Sequence, residues 1–386
     1  LKIVIAPDSF KGSISAADAA AAIERGIKRY LPEADTVKVP VADGGEGTMD
    51  SLIHAAGGRK VDAVVTGPIG LPVEAAYGLI GQEQRVAVIE MASASGLCLI
   101  TAEQRNPLIA TTYGTGELIR QALDAGCREF ILALGGSATN DGGAGMLQAL
   151  GMRLLDASGS PVRWGGGALS EIAAIDDSAW DPRIAESRFL IASDVQNPFI
   201  GPKGASHVYG PQKGATPDIV QELERNMAAW ADTIEAKTGT RVHDLPGAGA
   251  AGGIGGAFLA FFPTSIQPGI EVVIHYSGLR EHLLGTDLVI TGEGQIDFQT
   301  AFGKTPMGIA LEAKKLNIPT VALAGSVGTG IDSLHDLGIT SVHSIVNGPM
   351  TLQEAMDRAA ELLELTAEQI IRTYAPAINQ QHGSKE

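Results

Sequence analysis

The chain has 386 residues, 45% of them hydrophobic and 19% charged, which is enough for two domains with substantial cores. Its net charge of −16, with no run of Lys or Arg, argues against nucleic acid or an anionic membrane as a partner. An acidic protein that handles phosphates must then supply cations locally, from a few placed lysines, helix N-termini or bound Mg2+.

The 49 glycines cluster in short runs without a period. That excludes collagen and marks places where the backbone turns sharply or approaches a ligand. Cys98 and Cys127 lie in apolar surroundings without metal-ligand spacing, so both are expected to be buried, reduced thiols. The first residues read as a strand rather than a signal peptide, and no apolar stretch reaches about 18 residues. A cytoplasmic protein without a membrane span is expected.

The N-terminus reads as β-α-β-α. Residues 2–6 (KIVIA) form a strand, Ser15 caps an Ala-rich helix to residue 30, and residues 36–41 and 47–56 give a second strand and helix. Such alternation indicates a parallel sheet covered by helices. From residue 59 the grammar changes: strands at 60–66, 72–80 and 85–91, joined by Gly-containing turns, indicate an antiparallel or mixed sheet. Helix 115–125, strand 129–134, helix 142–150, strand 188–193 and helix 216–238 follow, then a Gly-rich stretch at 246–256 and an apolar run at 257–262. After residue 286 the α/β rhythm returns, with strands at 288–291, 320–325 and 341–346 and helices at 306–316 and 352–374.

The expected architecture is therefore α/β with two domains. A discontinuous, doubly wound parallel-sheet domain (1–59 and 286–376) surrounds an inserted mixed-sheet domain (60–285), with a cleft between them and a flexible tail at 377–386.

Chemistry is expected at the carboxyl ends of the strands, where open α/β sheets bind ligands. After the first strand, Asp8, Ser9 and Lys11 precede a helix and suit a carboxylate or phosphate, unless the loop is an ordinary βα turn with a solvated lysine. After the second, Asp43 and Glu46 stand among three glycines and could take Mg2+, or one of them could cap the next helix. The loop at 135–145 is denser. Its Gly135, Gly136, Ser137, Thr139, Asn140, Gly142 and Gly143 suit a backbone cradle for phosphate oxygens.

Asp194 follows the strand at 188–193 and is a candidate general base or Mg2+ ligand, or a turn residue; Asn197 is a candidate for binding substrate. Lys213, in the segment GPQKGA, reads as a mobile loop cation. In the returning half, Glu293 and Asp297 could bind metal, and Lys304 could neutralise developing negative charge.

Two familiar motifs fail in context. The G-x-G-x-x-G at 247–252 lacks a leading strand, and Phe298 stands where a P-loop ending in Gly303, Lys304 and Thr305 requires its first glycine. No H-x-x-x-H pair or G-x-S-x-G elbow is present.

Eight blocks in order carry a resemblance to the glycerate kinase family: APDSFKGS (6–13), VADGGEGT (41–48), IEMASASGL (89–97), TTYGTGEL (111–118), GGSATNDGGAGM (135–146), GPQKGA (210–215), PGAGAAGG (246–253) and TGEGQIDFQT (291–300). The resemblance implies transfer of the γ-phosphoryl group of ATP, with Mg2+, to D-glycerate, at the 2-hydroxyl, in glyoxylate and aldarate catabolism. Related hydroxy acids and the 3-hydroxyl remain alternatives. It also implies a discontinuous flavodoxin-like domain and an inserted α/β domain. Ser93 and Ser95, in the third block, join Ser9, Asp8 and Asn197 as candidates for holding the substrate. Asp194, Lys11 and Lys304 are the catalytic candidates, and a homo-oligomer is left open.

Overall fold

The computed structural model describes residues 1–45, 47–81, 83, 85–302 and 304–383, with backbone alone for 302 and 377–383. Its first elements are β1 (Lys2–Pro7), α1 (Ala16–Tyr30), β2 (Asp35–Lys38) and α2 (Thr48–Ala56). Next come β3 (Arg59–Thr66), β4 (Pro72–Ile80), β5 (Val86–Glu90), the single turn α3 (Ala92–Ser95) and α4 (Tyr113–Asp124). Then β6 (Glu129–Ala133) and α5 (Ala144–Ala149) lead to the short pair β7 (Arg153–Leu155) and β8 (Ala174–Asp176), and to β9 (Arg188–Ala192).

α6 (Ala205–Tyr209), α7 (Pro217–Thr238), α8 (Ala250–Phe261) and β10 (Thr264–Gln267) follow. The returning part opens with α9 (Gly269–Ser277), α10 (Leu279–Leu283), β11 (Leu288–Ile296), α11 (Thr305–Lys315) and β12 (Thr320–Val327). It ends with α12 (Asp332–Leu337), β13 (Ile339–Ser344), α13 (Leu352–Asp357) and α14 (Ala359–Gly383).

Two compact units result. One comprises Leu1–Asp43, Asp50–Ala56 and Ile270–Glu386; the other comprises Gly44–Met49 and Gly57–Gly269. The first is split in sequence and the second is inserted. The second break falls earlier than the sequence suggests, because α10 and nearly all of α9 go with the split unit.

In the split unit the strands lie in the order β13-β12-β11-β1-β2, all parallel. Numbered within the unit this is the flavodoxin-like order, which reverses between β1 and β11. Alternate strand residues point to opposite faces. One face, with Ile3, Ile5, Leu288, Ile290 and Leu323, is covered by Ile23 and Ile27 of α1 and by Leu363 and Ile371 of α14. The other face, with Ala322 and Ala324, meets Met307 and Leu334. α1 starts where the Ser15 hydroxyl accepts from the Asp18 N–H (3.1 Å), and its last turn carries Lys28 and Arg29, which suit the negative end of the helix.

The inserted unit has a six-stranded sheet in the order β10-β9-β6-β5-β4-β3, parallel from β10 to β5 and antiparallel from β5 to β3. Its core centres on Phe130 stacked on Phe189, with ring centroids 4.6 Å apart, and on the buried Phe258 and Trp230.

Two expectations need correction. Cys98 is exposed; only Cys127 is buried. The helix expected at 352–374 is two, because Thr351 and Glu354 form a capping box for α13 and α14 begins afresh at Ala359. Past Pro376 the backbone is helical to Gly383, and residues 384–386 lie outside the described residues. Among the described residues no helix is long and apolar enough to cross a membrane.

Candidate active site

In the split unit, β1 and β11 are neighbours with Ala6 beside Thr291 and Pro7 beside Gly292. A Cβ on Gly292 would lie 2.3 Å from the Leu323 carbonyl oxygen of β12, so only glycine lets these strands close up there. Asp8 follows β1 directly and its N–H donates to the Gly292 carbonyl (2.8 Å), next to Glu293. Both carboxylates therefore stand where the strand order reverses, the position at which such sheets bind ligands.

Asp8 Oδ2 accepts from the Thr305 hydroxyl at 2.6 Å, and its Oδ1 accepts from the Ser9 N–H at 2.6 Å. Glu293 Oε1 accepts from the Thr300 hydroxyl at 3.0 Å, and Lys304 Nζ lies 3.8 Å from its Oε2. Burial, with the charge of Asp43 adding to it and the Thr305 and Ser9 hydrogen bonds opposing, pushes Asp8 up to about 6. Burial also pushes Glu293 up to about 7, with Asp8 and Asp43 adding to it and Lys304 and Thr300 opposing. Burial is thus the main load on Asp8 and Glu293, and the charge of Asp43 adds to it. That is an environment suited to a divalent cation.

Their ligand atoms do not form a closed protein cage. Among the described residues, only Asp232, Glu235 and His243 bring three such atoms within 4.8 Å of one another. Mg2+ tolerates this, because it keeps waters and takes one or two carboxylates plus phosphate oxygens. Asp297 is committed to its own turn, accepting from Gln299 N–H (2.8 Å) and Gln295 Nε2 (2.9 Å). Glu46 lies outside the described residues, Asp43 is exposed after β2, and Lys11 is exposed in the middle of the loop between β1 and α1.

In the inserted unit the loop at 135–145 follows β6. It is not an open cradle but a braced one. Leu97 N–H donates to the Gly136 carbonyl (2.9 Å) and Ala138 N–H to the Ser95 carbonyl (2.9 Å), tying it to the loop after β5. Gly142 N–H donates to the Gly252 carbonyl (3.0 Å), tying it to the second Gly-rich stretch. There the backbone turns through positive φ at Ala251, Gly252 and Gly253 (52°, 75° and 94°), and a Cβ on Gly252 would lie 2.0 Å from the Thr139 carbonyl oxygen. The G-x-G-x-x-G at 247–252 is therefore a packing device for this loop rather than a dinucleotide fingerprint.

Lys213, expected to be a mobile cation, is only 1% exposed. Its ammonium donates to Ser137 Oγ (2.7 Å) and to the Thr139 carbonyl (2.6 Å). Burial pulls it down to about 7, while the nearby Asp141 favours its charge. Asp141 is fully buried, and burial pushes its carboxyl up. Four donors answer it: Thr112 N–H (2.8 Å), the Thr112 hydroxyl (2.9 Å), Gly143 N–H (3.1 Å) and Gly145 N–H (3.2 Å). Thr139 Oγ1 and Asn140 Oδ1 are buried without a hydrogen-bond partner among the described residues, while Asn140 Nδ2 donates to Ser206 Oγ (3.1 Å).

The remaining candidates are largely engaged within the inserted unit. Ser95 Oγ is 2.9 Å from Thr115 Oγ1, and the Ser93 hydroxyl donates to the Glu90 carbonyl (2.9 Å). Asn197 donates to the Lys203 carbonyl (2.8 Å) and accepts from the Tyr209 hydroxyl (2.8 Å). Asp194 is exposed just after β9. Sequence reasoning missed the roles of Thr305, Thr300, Thr112, Asp141 and the buried state of Lys213. Thr305 and Asp141 sat inside motifs already singled out, and only their partners were invisible.

An open α/β sheet with an acidic centre at its switch point, joined in sequence to a Gly-rich loop unit, defines a two-domain enzyme class distinct from P-loop proteins. The model of the glycerate kinase family matches residues 3–375, and the chain belongs to that family. A glycerate kinase of Bacillus subtilis (strain 168) is 52% identical over 96% of this chain and 97% of its own length. A glycerate 2-kinase of Escherichia coli (strain K12) is 47% identical over 97% of this chain and 98% of its own. A crystal structure assigned to glycerate kinase 2 of Salmonella typhimurium LT2 superposes with a TM-score of 0.89 at 46% identity, covering 98% of this chain and 99% of that one.

Proposed function

We propose that this chain transfers the γ-phosphoryl group of ATP to the 2-hydroxyl of D-glycerate, giving 2-phospho-D-glycerate and ADP in the cytoplasm. The observation that carries the reading is the acidic centre at the switch point, where burial raises Asp8 and Glu293, the charge of Asp43 adds to it, and Lys304 stands 3.8 Å from Glu293. The name of the Escherichia coli relative supports the 2-hydroxyl.

Asp8, Asp43 and Glu293 are the residues proposed to hold Mg2+, one or two of them directly and the rest through water, with Asp297 bracing the turn beside them. When bound, Mg2+ neutralises charge on the phosphate oxygens of the nucleotide. Lys304 and Lys11 offset charge that develops on the transferred group. The loop at 135–145 offers backbone N–H groups and the Ser137 and Thr139 hydroxyls to phosphate, held in shape by Lys213 and Asp141. Asp194 accepts the proton of the substrate hydroxyl as it attacks phosphorus, so the O–P bond forms as the bond to the ADP oxygen breaks. Cytoplasmic glyoxylate and aldarate catabolism is the proposed setting.

Phosphorus NMR of the product made from ATP, Mg2+ and D-glycerate tests the reading. A resonance coupled to the C2 proton is expected. Coupling to the C3 protons would move the reaction to the 3-hydroxyl, and no turnover on D-glycerate would overturn the reading.

A further inference from the structure

α7 ends at a Gly239 cap with φ 75°, and the chain then reverses so that His243 lies back along the last turns of the helix. Asp232 and Glu235, three residues apart, share one face of α7 and meet it there. His243 is only 8% exposed. Its Nε2 is 2.8 Å from Asp232 Oδ1, a hydrogen bond in which the ring N–H donates to the carboxylate. In the neutral ring this leaves a lone pair on Nδ1. That atom is buried without a hydrogen-bond partner among the described residues, and it faces Glu235 Oε2 at 3.7 Å.

An imidazole lone pair and a carboxylate oxygen facing each other, with the far ring nitrogen fixed by a second carboxylate, is the arrangement of a carboxylate–histidine–metal site. We propose that His243 Nδ1 and Glu235 bind a divalent transition cation such as Zn2+, with Asp232 orienting the ring. Water completes the coordination, and a small closing movement brings both atoms to Zn2+ bonding distance. Arg241, at 3.2 Å from Glu235 and 3.6 Å from Asp244, yields Glu235 to the cation and keeps Asp244. The Ile200 N–H donates to the His243 carbonyl (3.2 Å), so the cation would clip α7 to the segment that follows β9. This site belongs wholly to the inserted unit and is independent of the acidic centre proposed for Mg2+.

The full chain, stripped of metal, is titrated with Zn2+ under excess Mg2+ and without nucleotide. The hard cation occupies oxygen-only sites, so it leaves imidazole-containing sites free for Zn2+. One Zn2+ per chain is expected, with a rise in melting temperature and a shift of the His243 ring nitrogens in 15N NMR. Glu235→Gln, at a half-exposed position where folding is not at stake, should weaken binding about 10-fold or more, and Asp232→Asn should do so by about 10- to 100-fold. No binding by the wild-type chain overturns the proposal. So does Zn2+ binding that leaves the His243 nitrogens unmoved or survives Glu235→Gln at full strength.

Discussion

Two charged centres are withdrawn from water in this chain, and they are resolved in opposite ways. In the inserted unit, Asp141 is sealed and saturated by four donors, and Lys213 beside it is anchored on a hydroxyl and a carbonyl. In the split unit, burial raises Asp8 and Glu293, the exposed Asp43 adds negative charge nearby, and the Thr305 and Thr300 hydroxyls and Lys304 at 3.8 Å oppose it. A buried charge that finds internal partners shapes a loop. One that does not is left to be satisfied by a ligand.

The largest effect is expected outside both centres. Asp194→Asn should lower kcat on the order of 10² or more, because an amide cannot take the substrate proton. A near-normal rate in steady-state assays would remove Asp194 from the chemistry and return attention to the acidic centre.

The acidic centre can be probed by pH. Asp8 and Glu293 hold their protons more tightly in the folded chain than in the unfolded one, because their folded values stand at about 6 and about 7. Their contribution to stability is therefore full below the ordinary carboxylate range and is lost as pH rises through about 6 to about 7. Mg2+ should restore it, so the melting temperature should gain more from Mg2+ at pH 8 than at pH 5. Asp8→Asn should raise the metal-free melting temperature at pH 8 by roughly a few degrees while shrinking the Mg2+ gain. An equal gain at both pH values would show that the centre is not a cation site.

The sealed centre should behave conversely. Lys213→Met leaves the Thr139 carbonyl and Ser137 without their donor and should destabilise the chain by about 1–3 kcal/mol, measured by denaturant unfolding. No response of that loss to Mg2+ is expected. A Lys213→Met chain of unchanged stability would mean that the loop keeps its shape without the ammonium.

The strands and helices that frame the acidic centre were legible because short apolar runs ended at Asp, Gly or Ser signals. Asp8, Asp43 and Glu293 all stood out at strand ends for that reason. What was hidden was partnership across sequence. Nothing in GPQKGA tells that Lys213 is swallowed by a loop 74 residues away, since a polar, Gly-flanked lysine reads as solvated. Likewise Ser93, Ser95 and Asn197 carry groups suited to a substrate, but their hydrogen bonds to Glu90, Thr115, Lys203 and Tyr209 depend on packing that no spacing encodes. α9 and α10 escaped notice because their apolar residues lie in short blocks broken by glycines, with little periodicity to see.

The strand order of the split unit has a consequence for synthesis. β1 is made long before its central partner β11: the Lys2 N–H waits for an aspartate 285 positions later. Until then β1 and β2 form a ribbon with an open, apolar edge, while the whole inserted unit emerges and can close upon itself. The inserted unit is therefore expected to be the early folder on the ribosome, and the two-stranded ribbon the part of the nascent chain most in need of shielding.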